Sequence, residues 1–339
     1  MASFSSTSEP GLPGPSWWVR FWHAPLRAER LGLMRVLMGV SLLTDQLFQY
    51  LPNFREFFGP EGVAPAGLHD AYQLSQWRWT AAFFYTDDLS VLYPAFFAWV
   101  AVTALWAAGL CTRLMNLAVW FGALCFIYRN PNILNGGDDV MQVGVFLLLL
   151  APCGKALSLD ALVRRWWTGQ PGPAYTPAWP VRLIQIQLCL IYCTTGIIKL
   201  KGEWSDGPFQ GTWWDGTSIH YVLNYVTMSR WSFAQLPLPL WMTAAMTYVS
   251  VWWEALFPLL VLPRWTRGPA LWFGVLFHLG IYFTIEVGWF SFYTLSFYGV
   301  WVPEWYWRRW DLPREVILPA PALAKSPPPA EATRSAPVG

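Results

Sequence analysis

Charge is scarce in this chain. Lys, Arg, Asp and Glu make up only 12% of its 339 residues, about half the share of an ordinary soluble domain. A normally polar, water-facing surface is therefore excluded for much of the molecule. Histidine is rarer still, with four copies, and no second one stands at ligand spacing from His278. No metal centre is expected. The five cysteines, Cys111, Cys125, Cys153, Cys189 and Cys193, make no CxxC or zinc pattern. Most lie inside apolar runs, which argues against a disulfide framework and for small packing residues. A net charge of +2 leaves no basic footprint, so nucleic acid is excluded as a partner. The opening stretch, "MASFSSTSEPGLPGPSWW", has no basic region leading directly into an apolar one. No cleavable signal peptide is expected, and the first apolar span is expected to act as an uncleaved signal.

What the chain does have is apolar and aromatic length. It is 55% hydrophobic, with 25 Trp, 22 Phe and 14 Tyr. Such a load suits a bilayer, where Trp and Tyr gather at the interfaces. Runs approaching the roughly 20 apolar residues of a spanning helix occur at 31–50, 89–110, 114–130, 138–152, 182–200, 239–262, 269–286 and 288–303. The last two form one long apolar stretch, divided by a hairpin at Glu286-Val287-Gly288. The pattern predicts an all-α, polytopic transmembrane helix bundle of about eight spans. Residues 1–19 and the Pro/Ala-rich 311–339 are expected to be disordered tails, which leaves 20–310 as the membrane domain.

Basic residues orient the bundle. With both termini in the cytoplasm, the inside segments hold Arg20, Arg27, Arg30, Arg113, Lys155, Arg164, Arg165, Arg182, Arg264, Arg267 and the C-terminal basic residues. Outside fall only Arg55, Arg78, Arg129, Lys199, Lys201 and Arg230. This asymmetry follows the positive-inside rule. Two long outside loops, 51–88 and 201–238, are rich in Trp, Gly, Pro and acids. Loops of that kind are more often functional than idle.

Ionisable groups within spans are costly and face a bundle interior or a wet cavity. Lys199 closes the fifth span. Tyr192, Thr195 and Lys199 share one helix face, with Gln185 close to the same stripe. Lys199 reads either as an anchor snorkelling to the headgroups or as an amine held in apolar surroundings for use as a base. In the sixth span Thr243, Thr247, Ser250 and Glu254 form one polar face. Glu254 reads as a structural hydrogen-bonding acid or as the partner of Lys199 or another cation. His278, Tyr282 and Glu286 share a face of the seventh span; His278 reads as a satisfied bundle residue or as a catalytic one. Ser291, Thr294 and Tyr298 mark a polar face beyond it. Arg35 and Asp45, near the two ends of the first span, can both reach interfaces. Asp138 and Asp139 suit a helix N-terminus. Asn135-Gly136-Gly137 before them reads as a tight turn with glycines at positive φ.

Five stretches in order carry a resemblance. "ERLGLMRVLMGV" (29–40), "RNPNILNGGDDVMQVGVFLLLLAPCGKALSLD" (129–160), "IYCTTGIIKLKGEWSDG" (191–207), "VSVWWEALFPLLVL" (249–262) and "FHLGIYFTIEVGWFSFYTLSFY" (277–298) resemble the HTTM family, which includes the membrane part of vitamin K-dependent gamma-carboxylase. In that enzyme the lysine of the matching stretch is held to deprotonate vitamin K hydroquinone. Oxygen then yields an epoxide and a strong base that removes a peptide γ-proton, and carbon dioxide adds. The resemblance implies Lys199 as base; Glu254 and His278, read from their own spans, are expected to tune it. It implies a quinone- or lipid-like ligand, such as vitamin K hydroquinone or menaquinol, near Asn135, Asp138, Tyr192, Thr195, Trp204 and Tyr282. The chain departs from the carboxylase at Asn135–Asp138, where the enzyme has a histidine.

Two functions from different classes follow. One is a carboxylase-like membrane enzyme that binds a hydrophobic small molecule in a cavity opening outward. The other is a non-enzymatic membrane factor for maturation or export of a secreted peptide, using the aromatic outer loops. A transporter would be expected to show two-halves symmetry, and none is evident. The expected location is a bacterial cytoplasmic membrane, with the lipid bilayer as constant partner.

Overall fold

The computed structural model describes residues 16–66, 86–169, 174–202, 211–233, 235 and 237–309. The expected tails lie almost wholly outside these residues, as does Trp204. Within the expected N-terminal tail, however, Ser16 caps a first helix, α1 (Trp17–His23).

The described chain is mostly helical. The first long helix, α2 (Glu29–Asp45), opens with an acid in its first turn and continues through a π-helical turn, Gln46–Tyr50. After the short α3 (Phe54–Phe58) comes α4 (Leu89–Ala108), capped by the Asp88 carboxylate on the Ser90 N–H at 2.8 Å. Then follow α5 (Thr112–Arg129), α6 (Gly136–Leu150) and the amphipathic α7 (Leu159–Thr168). The second half holds α8 (Trp179–Lys201), the short α9 (Ser218–Asn224), α10 (Leu240–Val261) and α11 (Arg264–Thr284). Last come α12 (Phe290–Ser296), extended by a tight turn at Phe297–Trp301, and α13 (Glu304–Arg308).

Four helices combine the length and apolarity needed to cross a bilayer: Glu29–Tyr50, Leu89–Ala108, Trp179–Lys201 and Leu240–Val261. The other four expected spans coincide with α5, α6, α11 and α12 with its turn. These are shorter or carry charge: α6 has 15 residues, and α11 begins with Arg264 and has Arg267 in its first turn. Much of the apolar surface of the long helices is exposed, as on Leu190, Ile198, Leu259 and Leu276. That is the surface a lipid-facing bundle presents.

One helix, α2, lies at the centre of the first half, packed against α4, α6, α12 and the turn that follows α12. Its far end meets an aromatic core in which Trp99 stacks on Phe126 at 5.2 Å. In the second half, α8 and α10 form the most extensive helix pair, and α11 packs on α10. A Cβ on Gly196 would collide with the Ala255 backbone nitrogen. Glycine there lets the two helices nearly touch.

Several expectations need correction. The bundle is not purely helical: β1 (Pro25–Arg27) pairs antiparallel with β2 (Tyr175–Pro177), Leu26 opposite Thr176. Gly136 and Gly137 do not form a positive-φ turn; they open α6. A Cβ on Gly137 would come 2.9 Å from Phe290 Cα, so its smallness serves packing. Arg35 does not reach an interface. It is fully buried, and its guanidinium donates to the carbonyls of Cys153 at 2.7 Å and of Leu157. Asp45 is buried as well. Arg129 closes α5 in the interior, donating to the Ala64 and Thr86 carbonyls and to Asp87.

Candidate functional site

The close approach at Gly196 sets Lys199, one turn further along α8, against Glu254 of α10. Its ammonium donates to both carboxylate oxygens, at 2.8 Å to Oε1 and 2.7 Å to Oε2. The Glu254 side chain is 6% exposed and that of Lys199 is 22% exposed. The Lys199 amine also lies 4.4 Å from the ring centroid of Trp213, within cation–π range. Thr195 exposes much of its surface. Its hydroxyl bonds back to the carbonyls of Ile191 and Tyr192 and lies within reach of the Glu254 carboxylate.

The register of this contact places the pair deep. Lys199 is near the end of α8, yet Glu254 lies well inside α10. At 1.5 Å per residue, α10 runs on for roughly 20 Å beyond Glu254 toward its own beginning. An anchoring lysine at the headgroups would have a helix end for its neighbour, not the middle of one. Pro258 adds to the local geometry. It has no N–H for the Glu254 carbonyl, which would be its i−4 partner in α10.

Beneath the ion pair is a second polar step. Tyr192, one turn before Gly196, is buried against Trp253 and Phe257. Its hydroxyl meets His278 Nε2 at 2.7 Å and the Tyr298 hydroxyl at 2.9 Å. His278 is fully buried, and its Nδ1 has no partner among the described residues. Lys199 is near enough for its charge to act on His278. Lys199, Glu254, Thr195, Tyr192 and His278 thus form one group.

The other expected residues lie elsewhere. Tyr282 meets Phe292 edge-on and sits under the Arg230 guanidinium, 5.0 Å from centroid to Cζ. Arg230 also pairs with Glu286 at 3.0 Å, so the stripe His278–Tyr282–Glu286 is split. Asn135 and Asp138 make a capping box on α6. The Asn135 side chain accepts from Gly137 N–H at 2.7 Å, and Asp138 accepts from Asn135 N–H at 2.8 Å. The face Thr243–Thr247–Ser250 is buried, with its hydroxyls bonded back to α10 carbonyls.

Sequence reasoning did not find Trp213 or Gly196. Gly196 carries a readable signal, a small residue one turn before the lysine in a spanning helix. Trp213 lies in the aromatic loop already marked as functional, but nothing in its spacing pairs it with Lys199. Next to it opens an aromatic cleft of about 260 Å³, lined by Leu200, Trp213, Trp214, Tyr248, Val251 and Trp252. The group can therefore hold a positive charge in apolar surroundings, pass a proton between Nζ and a carboxylate, and do so beside a cleft.

A comparison with family models matches residues 83–305 to the HTTM domain. No curated protein and no solved structure matches the chain.

Proposed function

The chain belongs to the HTTM domain family, and from that premise we propose that this multi-pass membrane protein is a carboxylase-like enzyme with Lys199 as its base. The observation that carries the reading is the Lys199–Glu254 pair, set at depth beside an aromatic cleft. The chemistry of the cleft fits a quinol or similar ring. Trp213, Trp214 and Trp252 offer flat apolar faces. The volume, about 260 Å³, is just below the usual range for a ligand pocket and suits a ring system better than a whole lipid.

A quinol such as menaquinol, when bound, would supply an acidic hydroxyl. Lys199 as placed is a donor to Glu254, not yet a base. In a buried pair the proton can pass from Nζ to the carboxylate, which leaves both groups neutral. The freed amine can then accept a proton from the cleft side. His278 and Tyr192 stand behind the pair and keep water from its rear. Asn135 and Asp138 remain within the proposed domain of residues 20–310 as the cap that holds α6 in place.

The topology belongs to this proposal too: eight spans, with both termini in the cytoplasm of a bacterial cell. The gathering of Arg30, Arg182 and Arg267 at one end of the bundle supports it. Thiol labelling of single cysteines introduced at 164 and 226 tests it; labelling of both from the same side would overturn it.

Replacing Lys199 with Ala tests the base. The expected outcome is loss of product formation with retained binding of a menaquinone analogue, read by tryptophan quenching. An alanine or arginine variant with full activity would end the proposal. The rival reading, a non-enzymatic factor for a secreted peptide, draws on the exposed Tyr221, Val226 and Trp231 of the far loop. It expects Lys199→Ala to be silent and loss of those side chains to abolish function.

A further inference from the structure

At the end of the bundle away from the Lys199 loop, three arginines from three helices converge. Arg30 opens α2, Arg182 lies in the first turn of α8, and Arg267 in the first turn of α11. They are near enough to repel one another: the charges of Arg182 and Arg267 act on Arg30, and that of Arg267 acts on Arg182. None has an ion-pair partner among the described residues. The acid acting on Arg30 is Glu304, which is already paired with Arg308 at 2.9 Å.

Their hydrogen bonds are incomplete in a consistent way. Arg30 reaches the Val300 carbonyl at 3.3 Å, and Arg182 reaches Gln185 Oε1 at 2.9 Å. The Nε–H of each is nevertheless buried without an acceptor among the described residues. Arg267 bonds the carbonyls of Val261 and Leu262 and lies 5.6 Å from the ring of Trp301. Arg182 lies 4.9 Å from the ring of Phe21. The indole N–H groups of Trp301 and of Trp22, beside Phe21, are also buried without acceptors among the described residues. Three cations and four unmatched donors thus share one place, with a shortage of acceptors and of negative charge. Buried donors are normally matched, and a cluster of like charges is normally countered.

We propose that this cluster is a binding site for a phosphate-bearing anion, the headgroup phosphodiester of an acidic phospholipid in the adjoining leaflet. A phosphate is an acceptor-only anion whose oxygens match the fork of a guanidinium. Basic pockets between spanning helices at a membrane face take such headgroups. The exposed Trp17 and Trp18 of α1, next to the site, mark the level at which headgroups lie. The site is separate from the Lys199 group and does not depend on any chemistry there.

The test uses the full chain in detergent, with thermal unfolding read by tryptophan fluorescence. Dioctanoyl phosphatidylglycerol should raise the midpoint by about 5 °C at a hundredfold excess over its Kd, and dioctanoyl phosphatidylcholine should not. Inorganic phosphate is the third arm. A weaker shift keeps the headgroup as the ligand, whereas an equal shift keeps the anion site but assigns it to a soluble phosphate compound. Arg182→Gln and Arg267→Gln should each weaken the phosphatidylglycerol effect at least tenfold. Without lipid they should leave the midpoint unchanged or raise it, because repulsion is relieved. Equal shifts with both lipids, variants that keep the shift, or variants equally destabilised with and without lipid would each overturn the site.

Discussion

Two carboxylates lie in the interior of this bundle in opposite circumstances. Asp45, at the end of α2, accepts a hydrogen bond from the Tyr293 hydroxyl at 2.6 Å and has no cation within ion-pair distance among the described residues. Its neighbours close the region: Gln46 donates to Thr103 at 3.2 Å, and Asp138 is engaged in the cap of α6. Glu254 instead faces an ammonium whose other side lies on an aromatic ring next to a cleft. The first arrangement joins α2 to α12 through neutral donors. The second, on the proposed reading, would store a proton that has somewhere to go. Burial alone does not mark a functional acid; the difference is in what each acid faces.

The comparison can be broken most forcefully at Glu254. Glu254→Ala leaves the Lys199 charge without its counterion and is expected to cost about 3 kcal/mol in a denaturation titration. The double variant Lys199→Met/Glu254→Leu should recover most of that loss while activity stays absent. If the double variant is as unstable as the single one, the charge pair is not what holds α8 to α10. Next in size is Gly196→Val. It drives a side chain into Ala255 and is expected to cost about 2 kcal/mol, with loss of activity through separation of Lys199 from Glu254. Tyr293→Phe, at the closed acid, should cost about 1 kcal/mol and leave turnover untouched; reduced turnover would erase the distinction between the two regions.

The smallest effect concerns a third acid, outside the spans. Asp160 is partly buried, which alone would push its carboxyl up. The N–H and hydroxyl of Thr112, the N–H of Cys111 and the nearby Arg35 charge outweigh this and hold it below the usual value. A carboxyl lowered in the folded state contributes stability that is present above its unfolded value of about 3.9. That contribution disappears as pH falls through the folded value. Melting midpoints measured between pH 6 and pH 3 should therefore fall less steeply in Asp160→Asn than in the parent chain.

Much of this was legible in the sequence because apolar length is a strong signal. Every expected span coincides with a helix, although only four meet the demands of length and apolarity together. The β1–β2 ribbon was not legible, since three-residue strands leave no periodicity to read. Arg35 was misplaced for a physical reason. A long side chain near a helix end usually snorkels, and only the tertiary fold shows that carbonyls of a neighbouring turn await it. Glu254 and Lys199 were readable as partners by type, but their register required Gly196, a residue whose meaning lies in what it lacks.

The early end of α8 has one further consequence. Its last carbonyls have no helical N–H groups to accept, and they stop beside the middle of α10 rather than at its end. Hydrocarbon cannot face such groups. If α8 ends within the bilayer, donors from outside the helix must reach them. On the proposed topology, a polar wedge would enter the bilayer from the side where α10 begins and stop at Lys199. A proton at the proposed base would then cross only part of the membrane's thickness to reach bulk solvent.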